Sequence, residues 1–448
     1  MQQGSDRQPA AARGARRWPA CAAAAAVLVA ALAFQAVRIP TLEHDVVWAE
    51  DGAVFLRGAL DDPVGSMLAP YAGYQHVLPR LLAGAVVALA PIGSYAAVVF
   101  WVSAVVAALV CAGTIPLARW AVPWLPARVA LGLVPVVVPL MAPEIIGNLA
   151  DLHTFALWLG VWIALSMPAS RLESWLIAVA ALLAAMTEVQ LLLMLPVLLL
   201  RIHVRRPLLW PVIGGFLLGL AGQALSWLLA PRRGYEGVPI GIPDVVVGWL
   251  ANVVMPTVRP EEQGIREAFA AQGPLAAAPI LAGFALAALV VLVWGSWRAR
   301  LAGAVVLLAS ASSFGGSLLA SPIEQFQYAS MQGEDWLTAI VDLRYGGAAG
   351  MLLAAIVPIA AAVSVERLSG RWLLLARPVL ALGLAAFIGA MAWQSPGAGS
   401  HRSGVEPWSE QIARQAAACE RGQDPGVLFI APYNRELVLD CPSITGAQ

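Results

Sequence analysis

Long uncharged apolar runs alternate with short polar stretches along this chain, and most runs approach the length of about 20 residues needed to cross a bilayer as a helix. The first is Trp18 to Val37. Others lie near 94–117, 127–142, 154–168, 173–186, 189–200, 208–229, 275–296, 301–320, 343–364 and 373–393, so eleven spans are expected. The runs 173–186 and 189–200 are short and separated by Thr187-Glu188, as in a hairpin that only partly spans. Val77 to Ala90 is apolar but interrupted by Pro79 and Arg80, and reads as an interfacial or re-entrant helix. The tail has a helix-like part, Pro407 to Arg421, and a strand-like part, Gly426 to Ile430. The expected fold is an all-α polytopic membrane protein with a small α/β C-terminal cap. Its parts are a polar tail at 1–17, a transmembrane domain at 18–393 with loops 38–93, 143–153, 230–274 and 321–342 on one side, and the cap at 394–448.

Composition supports lipid as the solvent. Charged residues are 12% and hydrophobic residues 60% of the 448, whereas soluble domains carry about 25% charged residues. The formal net charge of zero argues against a nucleic-acid partner. All 27 basic residues are arginine, and with 40 Gly, 32 Pro and 17 Trp the usage matches a high-GC bacterial genome.

Charge also gives an orientation. Arg7, Arg13, Arg16 and Arg17 precede the first run, and short basic segments favour the cytoplasm. This start can be read as a cleaved signal peptide, but the length of the run and the spans behind it favour an uncleaved helix. Eleven spans from a cytoplasmic N-terminus then place Arg119, Arg128, Arg171, Arg201, Arg205, Arg206, Arg298, Arg300, Arg367, Arg371 and Arg377 inside as well. Only Asp6, Glu173 and Glu366 among the 27 acidic residues fall inside. Polar chemistry is therefore expected on the outer face, with the C-terminus extracytoplasmic. Cys419 and Cys441 would lie there, where a disulfide can persist. Cys21 and Cys111 sit in apolar runs.

Several outer groups are candidates for chemistry. Glu50 and Asp51 follow the first span. A partly desolvated carboxylate with a carboxylate neighbour becomes a stronger base, although the pair can equally cap a helix over Gly52 to Leu60. His76 and Arg80 close the same loop. Glu144, Asn148 and Asp151 fall on one face if their segment is helical, and His153 adjoins the next span. Glu188, between two half-length runs, needs a partner, a water-filled cavity or exposure at a hairpin tip. Arg344-Tyr345 opens a late span, as a planar fork for phosphate or as a snorkelling arginine beside an interfacial tyrosine. Arg80, Arg232, Arg233, Arg259 and Arg266 carry the same ambiguity. No Walker loop, dinucleotide fingerprint, HExxH or GxSxG occurs.

Taken together, one leading span, an outer loop with the acidic pair Glu50-Asp51, a short helix around Pro79-Arg80, about ten further spans and an outer cap, the chain resembles the GT-C superfamily of membrane glycosyltransferases that use polyprenyl-phosphate sugars. The Glu144–His153 run and Arg344-Tyr345 also resemble parts of bacterial members. The resemblance implies inverting transfer, on the outer face of the plasma membrane, from a polyprenyl-phosphate-linked sugar donor to a glycan, lipid or protein acceptor. Asp51, supported by Glu50, would take the acceptor proton. Arg344 would grip the donor phosphate. Tyr345, His76, Arg80, Glu144, Asn148, Asp151, His153 and Glu188 would bind donor or acceptor. Some members of the superfamily use a divalent metal ion beside the acidic pair and others do not. Two other classes compete. A lipid or polysaccharide transporter or flippase predicts an internal repeat and charge in mid-span. A non-catalytic envelope-assembly protein predicts dispensable outer carboxylates.

Overall fold

The computed structural model describes residues 18–141, 144–203, 206–230, 237–341, 343–394 and 400–446. The 1–17 tail, Arg205, Arg232, Arg233 and Asp342 lie outside the described residues. Among the described residues, seven helices are long and apolar enough to cross a membrane: Trp18–Arg38, Ile92–Trp120, Pro207–Leu229, Glu262–Trp294, Trp297–Ala320, Arg344–Arg367 and Gly370–Trp393. Shorter apolar helices cover Val77–Leu89, Leu125–Met141, Leu152–Leu165, Val189–Ile202 and Ile242–Thr257. The chain is thus an all-α polytopic protein with one small sheet.

Each end of these helices has a local cause. Helix α1, Trp18–Arg38, stops where Arg38 turns its guanidinium onto the carbonyls of Val136, Val138 and Pro139, at 2.6, 2.9 and 2.8 Å. Those carbonyls lie at and just beyond the end of the helix Leu125–Val137, where they lack intrahelical partners and favour a cation. Helix Arg171–Ala185 begins at Ser170, whose hydroxyl accepts the Glu173 N–H. Near the middle of the Arg344–Arg367 helix the hydrogen-bond ladder is interrupted beside Ala355, because Pro358 lacks the N–H that Ala354 would accept.

Burial ranks the helices. The central helix Arg344–Arg367 has 83% of its span buried, whereas Gly370–Trp393 has 6% and exposes Leu374, Leu375 and Leu382. Arg344 therefore begins the most enclosed helix. At the far end of the bundle, Arg201 and Arg298 pack over the Trp120 ring at 5.1 and 5.4 Å, and Arg119 pairs with Glu173 at 2.6 Å. The short arginine-bearing segments thus gather away from the acidic loops.

Helix Arg171–Ala185 packs closely against Trp210–Leu229. Gly215 and Gly219, four apart, let the backbones touch. A Cβ on Gly215 would stand 2.3 Å from the Ala178 carbonyl oxygen, and one on Gly219 would stand 2.6 Å from the Ala185 Cβ. Gly215→Val is expected to destabilise the protein by about 1–3 kcal/mol, the usual cost of overpacking, seen as a lower melting temperature in detergent. An unchanged melting temperature would remove this contact as a determinant of the pair.

The C-terminal segment folds over the loops at the other end. Helix Trp408–Glu420 and strands Leu428–Ile430 and Arg435–Leu437, paired antiparallel, are closed by a Cys419–Cys441 disulfide. The cap is tied to the first loop, where Ala431 donates its N–H to the Val47 carbonyl at 2.9 Å. Trp408 Nε1 donates to Ile92 at 2.7 Å, and Ser409 bonds Asp45.

Two expectations are corrected here. The segment 144–151 is a series of turns rather than a helix, so Glu144, Asn148 and Asp151 do not share one face. Gly147, at φ +82°, makes a turn there, and a Cβ on it would meet the Phe100 ring at 2.4 Å. A helix does cover 52–60, as a π-helical turn, Asp51–Leu56, continued by Arg57–Asp61, but the expected side-chain cap is absent. Neither Glu50 nor Asp51 caps it through its side chain: Glu50 makes no capping bond, and the Asp51 carboxylate turns elsewhere.

Candidate functional site

The two adjacent carboxylates part company. Asp51 is 1% exposed, and its two carboxylate oxygens accept the N–H groups of Leu149 and Ala150, at 3.0 and 2.9 Å. Its carbonyl accepts the Tyr95 hydroxyl at 2.9 Å. Asp51 therefore staples the first loop to the 144–151 turns and lines neither cavity described below. Burial pushes its carboxyl up to about 7, against the two amides and Arg402, which favour the charge.

Glu50 lies on the wall of a cavity of about 340 Å³ at the loop end of the bundle. His76, Asp151, His153, Glu188, Arg344 and Tyr345 share this wall. Burial, and then the charge of Asp151, raise the Glu50 pKa, while Arg344 and Arg435 pull it back. Beside it, the His153 imidazole is held between two carboxylates: Nδ1 is 2.7 Å from Glu188 and Nε2 is 3.6 Å from Asp151. Glu188 also accepts the Gln190 N–H at 2.7 Å, so it starts the helical segment after it and still faces the cavity. This supplies the partner its depth demands.

Arg344 also lines a second cavity, of about 390 Å³, with Glu144, Arg266, His401 and Arg435. Glu144 stands 3.5 Å from Arg344 Nε and 2.7 Å from His401 Nδ1, which joins the cap, the turns and the central helix. The Arg344 guanidinium also rests 5.4 Å from the Tyr345 ring centre.

Other candidates serve the scaffold. Asn148 donates to the Glu144 carbonyl and accepts the Asp151 N–H at 2.7 Å, bracing the turns. Arg80 packs over the Phe55 ring at 5.4 Å and lines neither cavity. Among the described residues no group of three or more His, Cys, Asp or Glu is placed to hold a metal ion. The cavity residues fit one poorly, because both His153 nitrogens are turned toward carboxylates.

Sequence reasoning missed the residues that the cap and the helix bundle supply. Arg402 is 1% exposed, packs over the Trp48 ring at 5.2 Å, and donates to the Ile146 carbonyl at 3.0 Å. His401 bonds Glu144, and Ser313, Ser317 and Gln190 line the first cavity. One signal was available: a His-Arg pair at the start of a tail that otherwise reads as a detached cap.

A larger groove, of about 910 Å³, runs along the apolar flank of the bundle past Leu109, Leu159 and Leu176. Leu152, which flanks it, is the chain neighbour of Asp151 and His153 in the cavity. Comparison with family models, curated proteins and solved structures finds no match to this chain.

Proposed function

We propose that this protein is a GT-C-type membrane glycosyltransferase that moves a sugar from a polyprenyl phosphate to an envelope acceptor, with inversion. One observation carries the reading: a carboxylate of raised pKa, Glu50, and a guanidinium, Arg344, line the same cavity of about 340 Å³ at the end of the bundle. Such a pair supplies a base and an anion clamp, the two groups this reaction needs.

Glu50 is the base in this reading, in place of Asp51. The acceptor hydroxyl oxygen attacks the anomeric carbon while its proton passes to Glu50. The bond from that carbon to the phosphate oxygen breaks on the opposite face, and the electron pair leaves with the prenyl phosphate. Arg344 offsets the added negative charge. Asp151 keeps Glu50 basic, and the Asp151–His153–Glu188 arrangement fixes the cavity wall. The apolar groove that reaches Leu152 suits the prenyl chain, since it brings aliphatic surface to the edge of a charged cavity. The reading includes eleven spans, Leu125–Met141, Leu152–Leu165, Arg171–Ala185 and Val189–Ile202 crossing with the seven longer helices, in a bacterial plasma membrane with a cytoplasmic N-terminus and an outer cap.

The test uses purified protein in nanodiscs with synthetic prenyl-phosphate sugars and measures release of free prenyl phosphate. Arg344→Ala is expected to raise KM for the donor roughly ten- to hundredfold, the loss of one charge-assisted contact. A wild-type protein that turns over none of the donors, yet moves labelled lipid between leaflets, would replace this reading with a flippase.

A further inference from the structure

One polar side chain in the first cavity stands apart from its surroundings. His76 is 3% exposed, and both ring nitrogens lack a hydrogen-bond partner among the described residues. Its backbone surroundings are firmly held. Gln75 donates its N–H to Gln223 Oε1 at 2.8 Å, and Gln223 donates back to the Gln75 carbonyl at 3.2 Å. Val77 and Leu78 donate to Met186 and Thr187 at 3.2 Å each. The backbone is therefore held on both sides of an unpaired ring that lines the cavity. A buried polar group without a partner is costly, and a bound hydroxyl would recover that cost.

The rings around His76 point to what carries that hydroxyl. Tyr74, Tyr71 and Phe55 lie 4.5, 5.7 and 5.9 Å from it, centre to centre, and all line the cavity. The two tyrosines are presented by a tight turn in which their backbones bond each other at 2.9 and 3.1 Å, which sends both side chains to one side. The turn needs positive φ at both central residues. Gly73 takes +88° at no cost, but Ala72 takes +52°, a conformation that opposes its Cβ. The Arg344 guanidinium is part of a different wall segment from this turn, and the His153 ring, 6.1 Å from His76, is already engaged by Glu188 and Asp151.

We propose that the Tyr71–Tyr74–His76 wall is a subsite for a neutral pyranose ring, with the apolar C–H face of the sugar on the tyrosines and one ring hydroxyl bonded to His76. The inference rests on the glycosyltransfer reading and adds to it which wall holds the sugar. Aromatic faces carry negative charge density and attract the weakly positive C–H groups of a sugar face. A neutral imidazole has one donor and one acceptor, matching a hydroxyl that is also both. Phosphate lacks an apolar face and belongs with Arg344.

The test is saturation-transfer NMR on the full chain in nanodiscs, with aromatic protons irradiated and methyl α- and β-pyranosides of glucose, mannose and galactose as probes. At least one is expected to receive saturation, with its dissociation constant about tenfold weaker in His76→Leu and in Tyr74→Ala, the loss of one contact each. His76→Gln, which keeps a donor and an acceptor, should recover part of the loss. Size exclusion and thermal melting verify each fold, and Tyr71→Ala replaces any variant that fails them. Absence of binding by every pyranoside overturns the subsite, as does equal binding by wild type, His76→Leu and Tyr74→Ala. Equal competition by inorganic phosphate would make the wall an anion site and also overturn it. None of these outcomes touches Glu50: the glycosyltransfer reading fails separately, through the prenyl-phosphate release assay.

Discussion

Glu50→Gln is expected to slow sugar transfer by roughly a hundred- to ten-thousand-fold, the usual contribution of a positioned general base, while the melting temperature stays near that of the wild type. The carboxylate faces a cavity and makes no capping bond, so its amide isostere removes basicity without breaking a buried contact. The pH profile gives an independent reading. The base must be ionised, and burial beside Asp151 raises its pKa. The acidic limb of kcat/KM in the wild type should therefore lie above the ordinary carboxylate range, with activity lost as pH falls through it. Asp151→Asn removes the neighbouring negative charge and should move that limb to lower pH. Full transfer activity in Glu50→Gln would end the assignment, and an acidic limb unmoved by Asp151→Asn would end the coupling.

Asp51→Asn, one residue on, should behave in the opposite way and act through stability. Both carboxylate oxygens of Asp51 accept backbone N–H groups, from Leu149 and Ala150. An asparagine has one oxygen for these two donors, and its NH₂ would face the other N–H. The variant is expected to lose roughly 1–3 kcal/mol, as when a buried donor is left unpaired, visible as a lower melting temperature in detergent. Transfer would also fall, because the 144–151 turns carry Glu144 and Asp151 into the two cavities. Raising substrate should not restore it, whereas lowering the temperature should. If Asp51→Asn melts like the wild type but transfers nothing, Asp51 touches the reaction and the division of labour between the two carboxylates reverses.

This division explains why adjacent residues in sequence mislead. Glu50 and Asp51 carry the same chemical group, so composition and position cannot separate them. The separation comes from a π-helical turn that begins at Asp51, and from turns almost a hundred residues away that place two N–H groups beneath one side chain and none beneath the other. The same holds for Glu188, a solitary carboxylate in sequence that becomes the partner of His153 once two helices pack.

What the sequence determined by itself was the solvent and the separation of the arginine-bearing segments from the acidic loops. Apolar runs of span length, a 12% charged fraction and the sorting of arginines away from carboxylates follow from the cost of placing charge in hydrocarbon, which acts on each segment locally. The same local physics placed the polar loops and the cap at one end and marked Glu50-Asp51, Asp151 and Arg344 as positions of interest. Tertiary structure decided which of those residues face a common space. It placed Glu50 in the cavity and Asp51 under it, moved Glu144 to a second cavity with His401 of the cap, and left Arg80 on the Phe55 ring. It also set His76 among tyrosines with both nitrogens unbonded. Those outcomes depend on contacts between segments up to several hundred residues apart, where direction and distance decide chemistry, and neither is written in the order of residues along the chain.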